Sequence, residues 1–267
     1  MLFAAADPFE HVLDTQHWHL IEHLGWEFHL PWFLTKYMVL EVVAAVLIVM
    51  IFVPLAKRVQ SGEPPRGRWW NAFEALLTFI RDQVARPCIG EEDADRFLPF
   101  LWTLFLFILF CNLLGLVPFL GSPTASISVT GALALCSFLV IHGSAIARMG
   151  PVQYVKSHAP HLDGAIAVVL VPGIVAIEIM GHFIKATILA VRLFANLFAG
   201  HMVLAMLLLF IVMAKDAGWY LFWPITITSV LGVAALSLLE LFVSFLQAYI
   251  FVFLTSLFLG MALHPQH

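Results

Sequence analysis

Two apolar stretches towards the C-terminal end carry side chains that hydrocarbon does not accept without a reason. Residues 174–213 hold Glu178, His182, Lys185, Arg192, Asn196 and His201, and residues 225–263 hold Ser237, Glu240, Ser244 and Gln247. A charge near the middle of a spanning helix costs roughly 2.5–3.5 kcal/mol or more, so each such group needs a partner, a water-filled cavity or a task. The spacing sorts them. Glu178, Lys185 and Arg192 recur at every seventh residue, and Asn196 follows four later. At about 100° per residue these four fall within one stripe of roughly 40–60°. His201 comes nine residues after Arg192, about 180° round the helix. Ser237, Glu240, Ser244 and Gln247 form a stripe of their own.

Each residue type restricts the chemistry. The guanidinium of Arg192 stays protonated even when desolvated. It attracts a carboxylate but relays no proton, so it suits an electrostatic gate or barrier. Glutamate and histidine do relay, because burial moves their pKa values towards neutrality. A fixed cation with carboxylate and imidazole groups nearby is a workable proton pathway. Plainer readings exist for several of these groups. Glu178 and Lys185 can pair and snorkel to an interface, His182 beside Gly181 can be a packing histidine, and Asn196 and Gln247 can be interhelical hydrogen-bond glue. Arg192 has no acid four residues away on either side and no short reach to an interface, so a purely structural role fits it worst. Glu41 reads as interfacial. His11, His17, His19, His23 and His29 include an i,i+4 pair, but a solvated face explains them better than a metal site.

Composition sets the environment. Of 267 residues 62% are hydrophobic and only 11% charged, with mean hydropathy +0.97; a soluble domain carries about 25% charged residues. Runs of the length needed to span a bilayer recur. The net charge of −4 and the lack of a long basic run argue against nucleic acid as a partner. Cys88, Cys111 and Cys136 form no C-x-x-C pair, so neither a disulfide framework nor a zinc site is expected, and no cofactor is implied. The N-terminus lacks a basic n-region and a long h-region, so a cleavable signal is not expected.

The elements that must position these groups follow from hydropathy and punctuation. Residues 1–31 hold five acids and no Lys or Arg, and are expected as an outer-side segment preceding a single membrane domain over 32–267. The first span is predicted from about 32 to Pro54. Lys57, Arg58, Arg66 and Arg68 follow it, which places that loop inside. Residues 69–86 put apolar residues at 69, 73, 76, 77, 80 and 84 on one face, as in an amphipathic helix lying on the inner surface. Spans are predicted over 97–117 and 127–147, with Arg148 and Lys156 on the inside. Residues 174–213 then run for 40 residues without proline, and 225–263 for 39. As single helices these reach about 60 Å, twice the roughly 30 Å hydrocarbon core. Either each is a hairpin without a turn signal, or each is one strongly tilted helix; the missing punctuation favours two tilted helices forming a hairpin over about 166–263. The expected fold is all-α: three ordinary spans, an interfacial amphipathic helix and that hairpin, with the C-terminus inside. No internal repeat is evident.

With these residues in place a family likeness emerges. IKATILAVRLFANLFAGHM (184–202) resembles the signature of subunit a of the rotary F-type ATP synthase. RFLPFLWTLFLFILFCNLLGLVP (96–118) resembles that family's second span and LELFVSFLQAYIFVFLT (239–255) its last helix; the likeness covers most of residues 36–263. The resemblance implies a non-catalytic stator channel beside a ring of c subunits, a b-type peripheral stalk, the rest of the synthase and the lipid bilayer as partners, and a bacterial plasma membrane with the N-terminus outside. Protons enter one half-channel, neutralise a ring carboxylate and leave by a second. Arg192 matches the family's essential arginine, facing the ring. Asn196, His201, Glu240 and Gln247, with Ser244 on the same stripe, match the outer path. Glu178 matches an inner-side exit position, near which Lys185 and His182 also lie. Two positions depart from the enterobacterial pattern. His201 and Glu240 stand where it has glutamate and histidine, as in mitochondrial relatives, which marks the two as spatial partners. Gly115 stands where it has an acid in the second span. Glu41 or Glu27 are the residues expected to replace that charge. Two other classes compete. A stand-alone secondary transporter would purify without a c ring. An intramembrane hydrolase would need a zinc or nucleophile motif, which neither Glu178-x-x-x-His182 nor His142-Gly-Ser144 supplies.

Overall fold

The structure, a computed structural model, describes residues 35–60, 67–117, 121–157, 167–215 and 218–264. The expected outer segment 1–31, with its histidines and Glu27, lies outside the described residues, as do the side chains of Arg58 and Lys156. Among the described residues there is no strand. Helix α1 is Lys36–Gln60, α2 Arg68–Phe79, α3 Arg86–Ile89, α4 Glu91–Gly115, α5 Ile127–Met149, α6 Pro151–Ser157, α7 Ala167–Ala214 and α8 Trp219–Leu263. Five segments have the length and composition to cross a membrane: Lys36–Lys57, Glu91–Gly115, Ile127–Met149, Gly173–Ala214 and Trp219–Leu263.

Three boundaries differ from the sequence expectation. Helix α1 runs through Pro54 instead of stopping there. Breaking the helix would leave backbone groups without partners in apolar surroundings, and Leu55, just beyond, is buried. Helix α4 starts at Glu91, six residues before the expected Phe97, so the acidic run is helical; Glu91, Glu92 and Asp93 occupy the first turn, where negative charge suits the helix dipole. The predicted helix 69–86 is not one regular helix, since a π turn, Ile80–Ala85, separates α2 from α3. Pro87 has no N–H for the Gln83 carbonyl and its ring crowds that group; the wider turn relieves the clash. Gly90, at φ 98°, ends α3. The covered face of this segment also shifts by one residue at its start. Trp69 is 80% exposed, whereas Trp70, Phe73, Leu76 and Leu77 are half-buried and Ile80 and Val84 buried.

The chain packs as two compact units. Among the described residues, one comprises 35–60, 106–117, 121–129, 193–215 and 218–248; the other comprises 67–105, 130–157, 167–192 and 249–264. In the first unit, small residues let α7 and α8 approach closely, as membrane helices commonly do. A Cβ on Gly200 would overlap the Glu240 carboxyl, and one on Gly232 would sit 3.4 Å from the Leu207 side chain. The position on α8 falls from 240 to 232 as that on α7 rises from 200 to 207, so these stretches run antiparallel.

In the second unit, Trp102 Nε1 donates to the Leu77 carbonyl at 2.9 Å, fastening α2 to α4. Gly260 of α8 lies against the Cys88 carbonyl with no room for a Cβ. Ion pairs join Arg81 to Asp95 at 3.4 Å and Arg86 to Asp82 at 3.2 Å; Asp93 is paired with Arg148 and, at 3.1 Å, with His264. All are solvent-accessible, so each contributes at most about 1 kcal/mol.

Candidate functional site

The first unit holds a buried polar cluster built from three helices and one turn. On α8 the eight-residue stretch from Glu240 to Gln247 keeps one face inward: Glu240 is 8% exposed, Ser244 0% and Gln247 5%. His201 on α7 is half-buried. Five side-chain atoms here have no hydrogen-bond partner among the described residues: both Glu240 oxygens, Ser244 Oγ, Gln247 Nε2 and His201 Nε2. Glu240 therefore lies beside the backbone of Gly200, one residue from His201, without a hydrogen bond between acid and imidazole. Leaving such atoms unmatched costs about 1–3 kcal/mol each, and buried polar groups ordinarily have a protein or water partner.

The same unit contains residues that sequence reasoning missed. Asn112 on α4 donates Nδ2–H to the Ser244 carbonyl at 3.2 Å, so it positions the predicted α8 stripe from behind. Its Oδ1 accepts from Thr124 Oγ1 at 2.7 Å. With that proton spent, the one proton of Ser122 is shared between Thr124 Oγ1 at 2.8 Å and the Cys111 carbonyl at 3.3 Å. Asn112, Ser122 and Thr124 are all fully buried. The 3₁₀ turn Pro123–Ala125 is thereby drawn into the unit. It also explains Gly115: a Cβ there would collide with Ser122, whose Oγ stands 2.9 Å and Cα 3.1 Å away. The position has no room for an acid.

The second unit holds a cavity of about 600 Å³. Glu178, His182 and Lys185 of α7 line it together with His142 of α5, Cys88 and His264. Glu178 and Lys185 are exposed and make no ion pair with each other; the Lys185 ammonium instead lies over the Phe258 ring, 5.2 Å from its centroid. The His182 and His142 ring centroids are 5.2 Å apart. His142 Nδ1 is 2.5 Å from the Tyr154 hydroxyl. Burial pushes the Cys88 thiol up from its ordinary pKa, so it lines the cavity as an uncharged group.

Arg192 belongs to the second unit and Asn196 to the first. Arg192 is exposed on α7, and among the described residues it makes no hydrogen bond or ion pair; Asn196 is half-buried. The structure therefore brings Glu178, His182 and Lys185 to one cavity, and Glu240, Ser244, Gln247 and His201 to one unit. Arg192 is in neither lining.

The family model described as the ATP synthase A chain matches residues 38–260. ATP synthase subunit a of Myxococcus xanthus (strain DK1622) is 39% identical over 234 residues, 88% of this chain and 74% of that protein. The protein of the same name from Anaeromyxobacter dehalogenans (strain 2CP-1) is 46% identical over 202 residues, 74% of this chain and 50% of its own length. That from Chloroherpeton thalassium (strain ATCC 35110) is 40% identical over 238 residues, with coverages of 88% and 68%. This chain thus spans from half to about three quarters of the length of these relatives. With five helices of spanning length and a match over most of its residues, the chain is an integral membrane member of the ATP synthase A chain family.

Proposed function

We propose that this chain is the proton-translocating stator subunit of an F-type ATP synthase. Two half-channels load and unload the carboxylates of a rotating c ring, and Arg192 is the electrostatic barrier between them. The observation that carries the reading is Arg192 itself: a permanent cation, exposed on an apolar helix, with no anion among the described residues to meet it. A charge so placed finds its counter-ion on another molecule, and a ring carboxylate is the matching group. Because the guanidinium holds its protons at any physiological pH, it draws a deprotonated carboxylate and passes no proton across.

The buried cluster of His201, Glu240, Ser244 and Gln247, with Asn196, serves as the inlet. Its unmatched polar atoms are those a file of water would satisfy. The cavity lined by Glu178, His182 and Lys185 serves as the outlet. No bond other than to a proton is made or broken, so the chain is a channel subunit and not an enzyme in its own right.

The arrangement in the bilayer follows the same logic. Lys57 and Arg148 are exposed at the C-terminal ends of α1 and α5, which supports placing those ends on the cytoplasmic side of a bacterial inner membrane. The N-terminus is then outside and the C-terminus cytoplasmic, α2 lies along the inner surface, and α7 and α8 form a strongly tilted hairpin. Residues 1–31 form an outer segment ahead of this one membrane domain, and b-type stalk subunits hold it against rotation. Arg192→Ala is expected to abolish ATP-driven proton pumping in membrane vesicles while ATP hydrolysis persists. Undiminished coupled pumping would overturn the assignment.

A further inference from the structure

The second-unit cavity has a wall that the family likeness did not single out. His142 projects from α5 into it beside His182, with ring centroids 5.2 Å apart, near enough for direct contact or one bridging water. Its ring is held on two sides. Phe138 packs against it at 4.1 Å between centroids, and Tyr154 meets its Nδ1 at 2.5 Å. Tyr154 is buried on α6, and it reaches His142 because Gly150, at φ 82°, reverses the chain between α5 and α6. Burial, and then the negative charge of Glu178, push the Tyr154 phenol above its ordinary pKa, so it remains an O–H at neutral pH.

A hydroxyl is a particular kind of partner for an imidazole. A carboxylate would favour the charged ring and a backbone N–H the neutral one. A phenol oxygen can accept from Nδ1–H whether the ring is neutral or charged. In the tautomer with its proton on Nδ1, the ring donates to Tyr154 and presents Nε2 as the exchanging atom. We propose that His142, oriented by Tyr154, is a second proton-transfer station of this cavity, working beside His182 and Glu178 on the outlet side. In each passage one proton binds Nε2, delivered by the His182 imidazolium, the Glu178 carboxylic acid or a protonated water. One proton then leaves Nε2 to cavity water. The ring passes from neutral to cationic and back while Nδ1–H stays on Tyr154. The other charged or titratable groups facing this space are Lys185 on α7, His264 beyond α8, and Cys88. Tyr154 is a positioning residue in this scheme.

The proposal rests on the outlet reading above, and its test separates the two. The complete ATP synthase is prepared in inverted vesicles with His142→Gln, His142→Ala, Tyr154→Phe or Arg192→Ala, at matched amounts of co-purifying c subunit. Passive proton flux through membranes stripped of the catalytic head is recorded against the pH on the cytoplasmic side. His142→Gln is expected to lower flux by about tenfold, the low end for loss of an acid–base group, and to remove an inflection from the pH profile. Tyr154→Phe is expected to lower flux less and to displace that inflection. Added imidazole should partly restore His142→Ala. Wild-type flux and pH profile in both His142→Gln and Tyr154→Phe overturn the station. If His142→Gln does not assemble, an unmoved profile in Tyr154→Phe overturns it alone. Intact coupled pumping in Arg192→Ala would instead overturn the channel reading.

Discussion

Glu240 occupies space that exists only because residue 200 is glycine. A Cβ at Gly200 would strike its carboxyl end. That end belongs to a flexible side chain and can swing away at little cost in stability. Gly200→Ala is therefore expected to leave assembly intact while displacing the acid, lowering proton pumping on the order of tenfold through misplacement of a transferring group; normal pumping would remove Glu240 from the path. The acid and His201 are neighbours across this glycine without a hydrogen bond between them. If they nonetheless act as one acid and one imidazole, His201→Glu combined with Glu240→His should pump better than either single change. A double variant no better than the singles would separate their roles. At this scale the cost of intramembrane charge made Arg192, Glu178 and Glu240 legible as candidates. Asn112, Ser122 and Thr124 were not: small polar residues near a helix end and in a turn carry no periodicity, and their importance lies in who they face. His142 left a faint signal as the one imidazole in the third span, but its partner Tyr154 sits beyond a glycine break that hydropathy cannot bridge.

The contrast between two glycines defines the element scale. Unlike Gly200, Gly260 faces backbone: a Cβ there would overlap the Cys88 carbonyl, and Ile89 Cα would stand 3.3 Å away. Backbone cannot swing aside. Gly260→Ala is expected to cost about 1–3 kcal/mol, in the range of overpacked cores, read as less assembled protein in the membrane at equal expression; unchanged yield would mean that α3 gives way. The five long helices were legible because hydrocarbon thickness sets a length and apolar composition fills it. Their punctuation was less so. Proline ends helices in water, yet Pro54 and Pro99 both lie inside helices, because lipid offers no alternative partner for freed backbone groups. The π turn at Ile80–Ala85 is the converse: it follows from Pro87, but no residue pattern distinguishes a widened turn from a helix end.

For the molecule as a whole the testable quantity is orientation. In a variant lacking Cys88, Cys111 and Cys136, His264→Cys is expected to react with a membrane-impermeant maleimide in inverted vesicles and not in intact cells. Labelling from the outside would reverse the topology and, with it, the assignment of inlet and outlet. The side of the membrane proposed for each end was readable from charge alone, through Lys57, Arg148 and the five acids of the first 31 residues. How the polar groups sort into a cluster in one unit and a cavity in the other was not. Helical periodicity reports the face a residue occupies but not which neighbour covers that face.

The contact between Gly115 and Ser122 bears on ancestry. Because the turn occupies the volume an acid would need, the two features exclude each other, and neither can be exchanged by one substitution. A lineage moving between them has to shift the turn and the side chain together. Positions 115 and 122 should therefore vary as a pair across relatives, with bulk at one matched by retreat of the turn at the other.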